Sequence, residues 1–182
     1  MHNVENSKDI PRKLFGARFP ESTGYLVRHP SCLRVSPPGF VESTAGDGPA
    51  GIRGSAGLIA GIGVDIVEIE RMEKLHARYG ERLARRLLDA TEFEEYRRSE
   101  TKSRLLARRF AAKEAAAKAL GTGFSQGVGA SMIGIRHVDH GRPVIEFSGQ
   151  AKARSVLLGV KSVWLSISDE KALSVAMVVL ES

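Results

Sequence analysis

Residues 103–120 read SRLLARRFAAKEAAAKAL, and the fold turns on them. Apart from Ser103 and Phe110, every residue is a strong helix former. Gly121 follows as a suitable C-terminal cap, so the spacing predicts one long helix that stops there. Within it, Glu114 lies four residues after Phe110 and four before Lys118, on or beside the face that Phe110 and Ala117 would bury. Arg109 and Lys113 form a basic row on the adjacent face, also at i, i+4. Two readings are open: a surface helix steadied by a Glu114–Lys118 pair, or a helix carrying its acid toward a partner.

Upstream, LIAGIGVDIV (58–67) predicts the first strand, with glycines 61 and 63 allowing close backbone approach. Its one misfit is Asp65, an acid between Val64 and Ile66, which is costly to bury without a partner. Ile66, Ile69, Met72 and Leu75 then recur at three-residue steps, a helical period. ERLARRLL (81–88) continues it, and Thr91 with Glu94 opens TEFEEYRR (91–98) as a capping box. After the glycine-rich loop 121–130 the period changes. SMIGIRHV (131–138) and PVIEFSG (143–149) read as strands, AKARSVLLGV (151–160) as a short helix, and SVWLSIS (162–168) with ALSVAMVVLE (172–181) as a closing hairpin. The expected order β–ααα–ββ–α–ββ is that of an α+β domain, an antiparallel sheet packed on the long helix.

Residues 1–57 differ in kind. The stretch 36–57 is rich in Pro, Gly, Ser and Ala without any period, so this segment is expected to be a disordered extension or the product of a mis-set start. Residues 58–182 form the domain. No apolar run approaches the roughly 20 residues that span a bilayer, so no membrane segment is expected. The single cysteine, Cys32, excludes an internal disulfide and a thiolate zinc cluster, and fits a reducing cytoplasm. The net charge of +6 is concentrated between residues 71 and 118, where 14 lysines and arginines face 8 acids. Such a segment attracts acidic proteins, phosphorylated ligands or nucleic acid. Low aromatic content (6%) and the two acids Asp65 and Glu114 weigh against nucleic acid.

If the long helix packs on the first strand, Asp65 and Glu114 could face one point and hold a hard cation. Magnesium suits two carboxylates, because it keeps waters and takes other ligands from phosphate oxygens. Lys113, Lys118 and Arg109 would sit where a polyphosphate needs neutralising, and GTG (121–123) would let backbone approach it. The HVDH cluster (137–140) lies in an expected turn and the serines 166 and 168 lack a histidine partner, so neither is taken as a site. Trp164 is expected in the core or at a subunit contact.

GIGVDIVEIERM (61–72) and FAAKEAAAKALGTG (110–123) together resemble the two signature motifs of the holo-acyl-carrier-protein synthases, bacterial 4'-phosphopantetheinyl transferases. GRPVIEFSGQA (141–151) and the closing hairpin resemble the segments that follow, so the likeness runs from about Leu58 to Ser182. The resemblance implies transfer of the phosphopantetheine arm of coenzyme A to a serine of apo acyl carrier protein in fatty-acid synthesis, releasing adenosine 3',5'-bisphosphate. It implies magnesium on Asp65 and Glu114, Lys118 as a further catalytic residue, and coenzyme A lined by Arg109, Lys113, Lys118, Gly121 and Ser168. It implies docking of the acidic carrier at Arg71 and the basic first helix, and a homotrimer with sites between subunits. Many members carry a histidine in the hairpin loop, where this chain has Asp169.

Overall fold

The computed structural model describes residues 58–182; the expectations for residues 1–57 lie outside them. Strand β1 (Ile59–Glu68) runs straight into helix α1 (Ile69–Tyr79), and α2 (Glu81–Leu87), α3 (Ala90–Arg98) and α4 (Lys102–Ala119) follow. A hairpin of β2 (Ile133–His137) and β3 (Pro143–Phe147) comes next, then α5 (Gly149–Leu157) and the hairpin β4 (Ser162–Asp169) and β5 (Leu173–Glu181). Among the described residues the α+β class holds, but four helices precede β2 where three were expected. The strands form two antiparallel sheets rather than one: β1-β5-β4, and the β2-β3 pair.

Two local expectations shift. Ile66 belongs to β1 and not to the helical repeat; Ile69 and Met72 carry the buried face of α1. The capping box lies two residues earlier than Thr91, on Asp89 and Glu92. Asp89 accepts from the Glu92 N–H at 2.9 Å, and the Glu92 carboxylate accepts from the Asp89 N–H at 3.0 Å. Both candidate pairs satisfy the spacing rule, and Glu92 prevails because its side chain turns inward to meet charges on α4.

Helix α4 is buried on almost every side rather than along one stripe, with seven of its alanines inside. Small side chains let its backbone come close to β1. At Gly63 the approach is so tight that a Cβ would collide with the Ala115 carbonyl oxygen and lie 2.8 Å from the Ala119 nitrogen. Gly61 meets the Ala119 carbonyl in the same way. The rest of the seam is filled by Leu106, Leu120, Val178 and Leu180, each wholly buried and each contributing about 1.5–3 kcal/mol through burial. Gly121, at φ +73°, ends the helix in the left-handed region that favours glycine.

The three-stranded sheet has a second, open face. Ile62, Val64 and Ile66 of β1, Met177 of β5 and Trp164 of β4 are all exposed on it. Val64 pairs with Met177, and Ile62 and Trp164 both pair with Val179, so these side chains form one apolar surface. Trp164 is therefore not a core residue; it is 52% exposed, and its indole N–H donates to Glu181 Oε2 at 2.6 Å. No helix among the described residues is long and apolar enough to cross a membrane.

Candidate active site

The strand–helix seam brings Asp65 and two residues of α4 together. Strand alternation points Asp65 inward toward α4, while its neighbours Val64 (45% exposed) and Ile66 (60% exposed) point out. The strand's misfits are thus the apolar residues, not the acid. Lys118 reaches across from the end of α4: its Nζ donates to Asp65 Oδ1 at 2.8 Å and to the Val64 carbonyl oxygen at 3.1 Å. The alternative pairing of Lys118 with Glu114, open from the spacing, is not the one formed.

Glu114 lies one turn before Lys118 and is 9% exposed. Its Oε2 is buried without a hydrogen-bond partner. Burial first, and then the charge of Asp65, push the Glu114 carboxyl above its ordinary range, while Lys118 pulls the other way. A carboxylate oxygen buried without a partner beside a second acid is an expensive arrangement for a purely structural role. Two carboxylates with an adjacent backbone carbonyl offer an oxygen-only donor set of the kind that hard cations take. The residues present therefore fit the magnesium that the signature motifs imply. Among the described residues, no three His, Cys, Asp or Glu side chains gather into a fuller metal cluster.

Two expected phosphate contacts are overturned. Lys113 has no exposed surface: its Nζ donates to Glu92 Oε2 at 2.6 Å, to the Ile133 carbonyl at 2.6 Å and to the Ala130 carbonyl at 3.1 Å. Burial lowers its pKa, with Glu92 opposing. Arg109 is 2% exposed; it donates from Nη2 to Glu95 Oε2 at 2.6 Å and holds Nε 3.5 Å from Glu92 Oε1. Both cations are spent within the protein, locking α3, α4 and β2 together around Glu92, whose Oε1 also accepts from the Ile135 N–H at 3.2 Å. The basic row turns inward.

Of the other expected residues, Ser168 is exposed near the end of β4, opposite Val175, and Gly121 sits at the end of α4. Arg154 of α5 caps that same end, its Nε donating to the Leu120 carbonyl at 3.0 Å. Asp169, at the loop end of the closing hairpin, is held by Arg104 at 2.8 Å and by Arg108 at 3.7 Å. Arg108 also lines an open groove of about 830 Å³ between α3 and α4, with Thr91, Glu94, Arg98, Ser99 and Leu105. Sequence reading missed Arg104, Arg108 and Glu92, because their partners lie on distant elements. The helical period does place Arg104 and Arg108 on one row at i, i+4.

Comparison with known proteins converges on one group. The model of the 4'-phosphopantetheinyl transferase superfamily matches residues 61–176. A holo-[acyl-carrier-protein] synthase of Vibrio cholerae is 49% identical over 124 residues, which cover 68% of this chain and 98% of that protein. The crystal structure of the holo-[acyl-carrier-protein] synthase from Neisseria meningitidis aligns with a TM-score of 0.65 at 38% identity, covering 69% of this chain and 100% of the other. That of the Bacillus anthracis synthase in complex with CoA (3',5'-ADP) aligns with a TM-score of 0.56 at 37% identity, over 68% of this chain and 97% of the other.

Proposed function

Since this chain belongs to the 4'-phosphopantetheinyl transferase superfamily, we propose that it is a holo-[acyl-carrier-protein] synthase. It moves 4'-phosphopantetheine from coenzyme A to a serine of apo acyl carrier protein and releases adenosine 3',5'-bisphosphate. The observation that carries this reading is the meeting of Asp65, Glu114 and Lys118 at the β1–α4 seam, with one Glu114 oxygen left unpartnered. The serine oxygen bonds to the β-phosphorus of coenzyme A as the bond from that phosphorus to the bridging oxygen breaks. The bisphosphate departs with the electron pair, and the serine gives up its proton.

Asp65 and Glu114 would hold the magnesium ion, which when bound supplies positive charge against the pyrophosphate. Lys118, half-exposed at the mouth of the seam, offers a mobile ammonium to the same phosphates. The backbone at Gly121 and the hydroxyl of Ser168 complete the coenzyme-facing set. Arg104 and Arg108, partly exposed and shared with Asp169, replace the inward-turned Arg109 and Lys113 as the guanidinium groups that would meet an anion.

The open apolar sheet face supports assembly of copies of the chain into a homotrimer, with each site completed by a neighbour. Arg71 is exposed on α1 and would meet the acidic helix of the carrier. The product is the carrier form used in fatty-acid synthesis, and the setting is the reducing cytoplasm. Residues 58–182 are the catalytic domain.

The test is direct. The protein is incubated with apo acyl carrier protein, coenzyme A and magnesium, and the carrier is weighed by mass spectrometry. The carrier gains one phosphopantetheine, and a chelator prevents the gain. A carrier of unchanged mass, with every apo carrier tried, would rule the activity out.

A further inference from the structure

Lys118 occupies an unusual position for a surface lysine. An i, i+4 partner, Glu114, is available on its own helix, yet its Nζ crosses to β1 and takes one carboxylate oxygen of Asp65 and the carbonyl oxygen of Val64. Those are hard oxygen donors from two kinds of group, the set a divalent ion would draw on. Glu114, meanwhile, keeps an oxygen without a protein partner. The seam thus holds two acids and one internal cation. That cation sits on an oxygen which the proposed metal needs.

We propose that Lys118 is the resident cation of this site: it holds Asp65 when no divalent ion is present, and the ion must displace it. This inference rests on the reading of Asp65 and Glu114 as the metal's carboxylates. An ammonium and a divalent cation on the same carboxylate oxygen repel one another, so the two occupants compete. Once displaced, the ammonium is free at the mouth of the seam, where the half-exposed side chain can turn to an anionic phosphate. Metal entry and phosphate capture then become one exchange. A divalent ion arriving with a pyrophosphate finds both its own ligand and a counter-charge for its cargo. A divalent ion arriving alone must eject the lysine into water. The exchange makes the site weak for free metal and stronger for metal accompanied by polyphosphate, a coupling that is reciprocal by linkage.

The experiment titrates the full chain with Mn²⁺ in the absence of any nucleotide, reading free ion by electron paramagnetic resonance. Mn²⁺ serves as the observable hard cation. Wild type, Lys118→Met, Lys118→Gln and Asp65→Asn are compared, with circular dichroism to establish that each is folded. Removing the lysine is expected to tighten Mn²⁺ binding roughly three- to tenfold, the scale of losing one partly exposed competing ion pair. Adding coenzyme A, which carries a pyrophosphate, should tighten Mn²⁺ binding more in wild type than in either lysine variant. Equal or weaker Mn²⁺ binding by both lysine variants overturns the proposal and leaves the metal site standing. Unchanged binding by Asp65→Asn overturns the metal reading itself.

Discussion

Glu92 and Lys113 share a hydrogen bond of 2.6 Å, and neither side chain has any exposed surface. The pair ties the start of α3 to the middle of α4, one residue before Glu114, and so fixes which way α4 faces β1. Breaking a buried pair by removing one partner costs about 3–5 kcal/mol, because the other charge is left behind. Lys113→Met and Glu92→Gln are each expected to be destabilising on that scale. The double variant should be less damaged than the sum, with a coupling of about 1–3 kcal/mol in urea unfolding. Strict additivity would mean that the pair is not acting as a unit.

Gly63→Ala tests the seam. The added methyl would meet backbone atoms of α4, which cannot swing aside as a side chain does. A loss of about 1–3 kcal/mol or more is expected, visible as a melting temperature lower by several degrees. Gly129 provides the control: the space that a Cβ would enter there is open and the backbone is extended, so Gly129→Ala should melt near wild type. If both substitutions behave alike, the close approach of β1 and α4 is not what Gly63 serves.

Glu114→Gln should separate stability from chemistry. The folded carboxyl is raised above its ordinary value of 4.5, so the folded chain holds this proton more tightly than the unfolded chain does. The destabilising contribution of the ionised group is therefore absent below about pH 4.5 and grows as pH rises through the folded value. At pH 8 the variant is expected to be more stable than wild type by about 1 kcal/mol, a gain that shrinks toward pH 4. Transfer to the carrier should fall at least ~100-fold in the same protein. A variant that is both active and no more stable would contradict the role given to the orphaned oxygen.

His76 gives a second pH dependence, remote from the seam. Its Nε2 lies 2.7 Å from the Tyr96 hydroxyl, and Ser103 and Lys102 stand beside it. Burial first, then the charge of Lys102, lower its pKa from 6.5. Its contribution is fully present above pH 6.5 and is lost as pH falls through the folded value. Wild type should lose thermal stability on acidification through this window, and His76→Gln should lose less. Parallel curves would remove His76 as the cause.

Met177→Lys probes the open sheet face at its centre, between Val64 and Ser166. A charge there has no partner in an apolar contact, so light scattering should report a mass reduced to that of one chain, with transfer reduced alongside. An unchanged assembly with full activity would place the subunit contact elsewhere.

Much of this is legible in the sequence because the decisive signals are local. An alanine-rich helix ended by Gly121, two glycines in a strand and alternation in the closing hairpin each follow from short-range rules. What stays hidden depends on distant partners. Nothing near Lys113 in sequence shows that Glu92, 21 residues away, will neutralise it inside the core. Helical spacing puts Arg109 and Lys113 on one face but is silent on whether that face meets water. Asp65 stands out in the sequence on inverted grounds, since alternation makes Val64 and Ile66 the exposed residues. Ile66 fits both a strand alternation and a three-residue step, and the pairing of β1 with β5 decides between them.

That alternation makes β1 a two-sided strand, with consequences for quality control. Its pairing with β5 is in step from Gly61 to Glu68, after an irregularity between Ile59 and Gly61. A chain that paired one residue out of step would turn Asp65 onto the open apolar face and bring Val64 and Ile66 under α4. A single slip would thus erase the acid pair and break up the open apolar face together. Under the proposed function and assembly, misthreaded molecules would be both silent as catalysts and unfit as neighbours, so a faulty copy would not enter an assembly of sound ones.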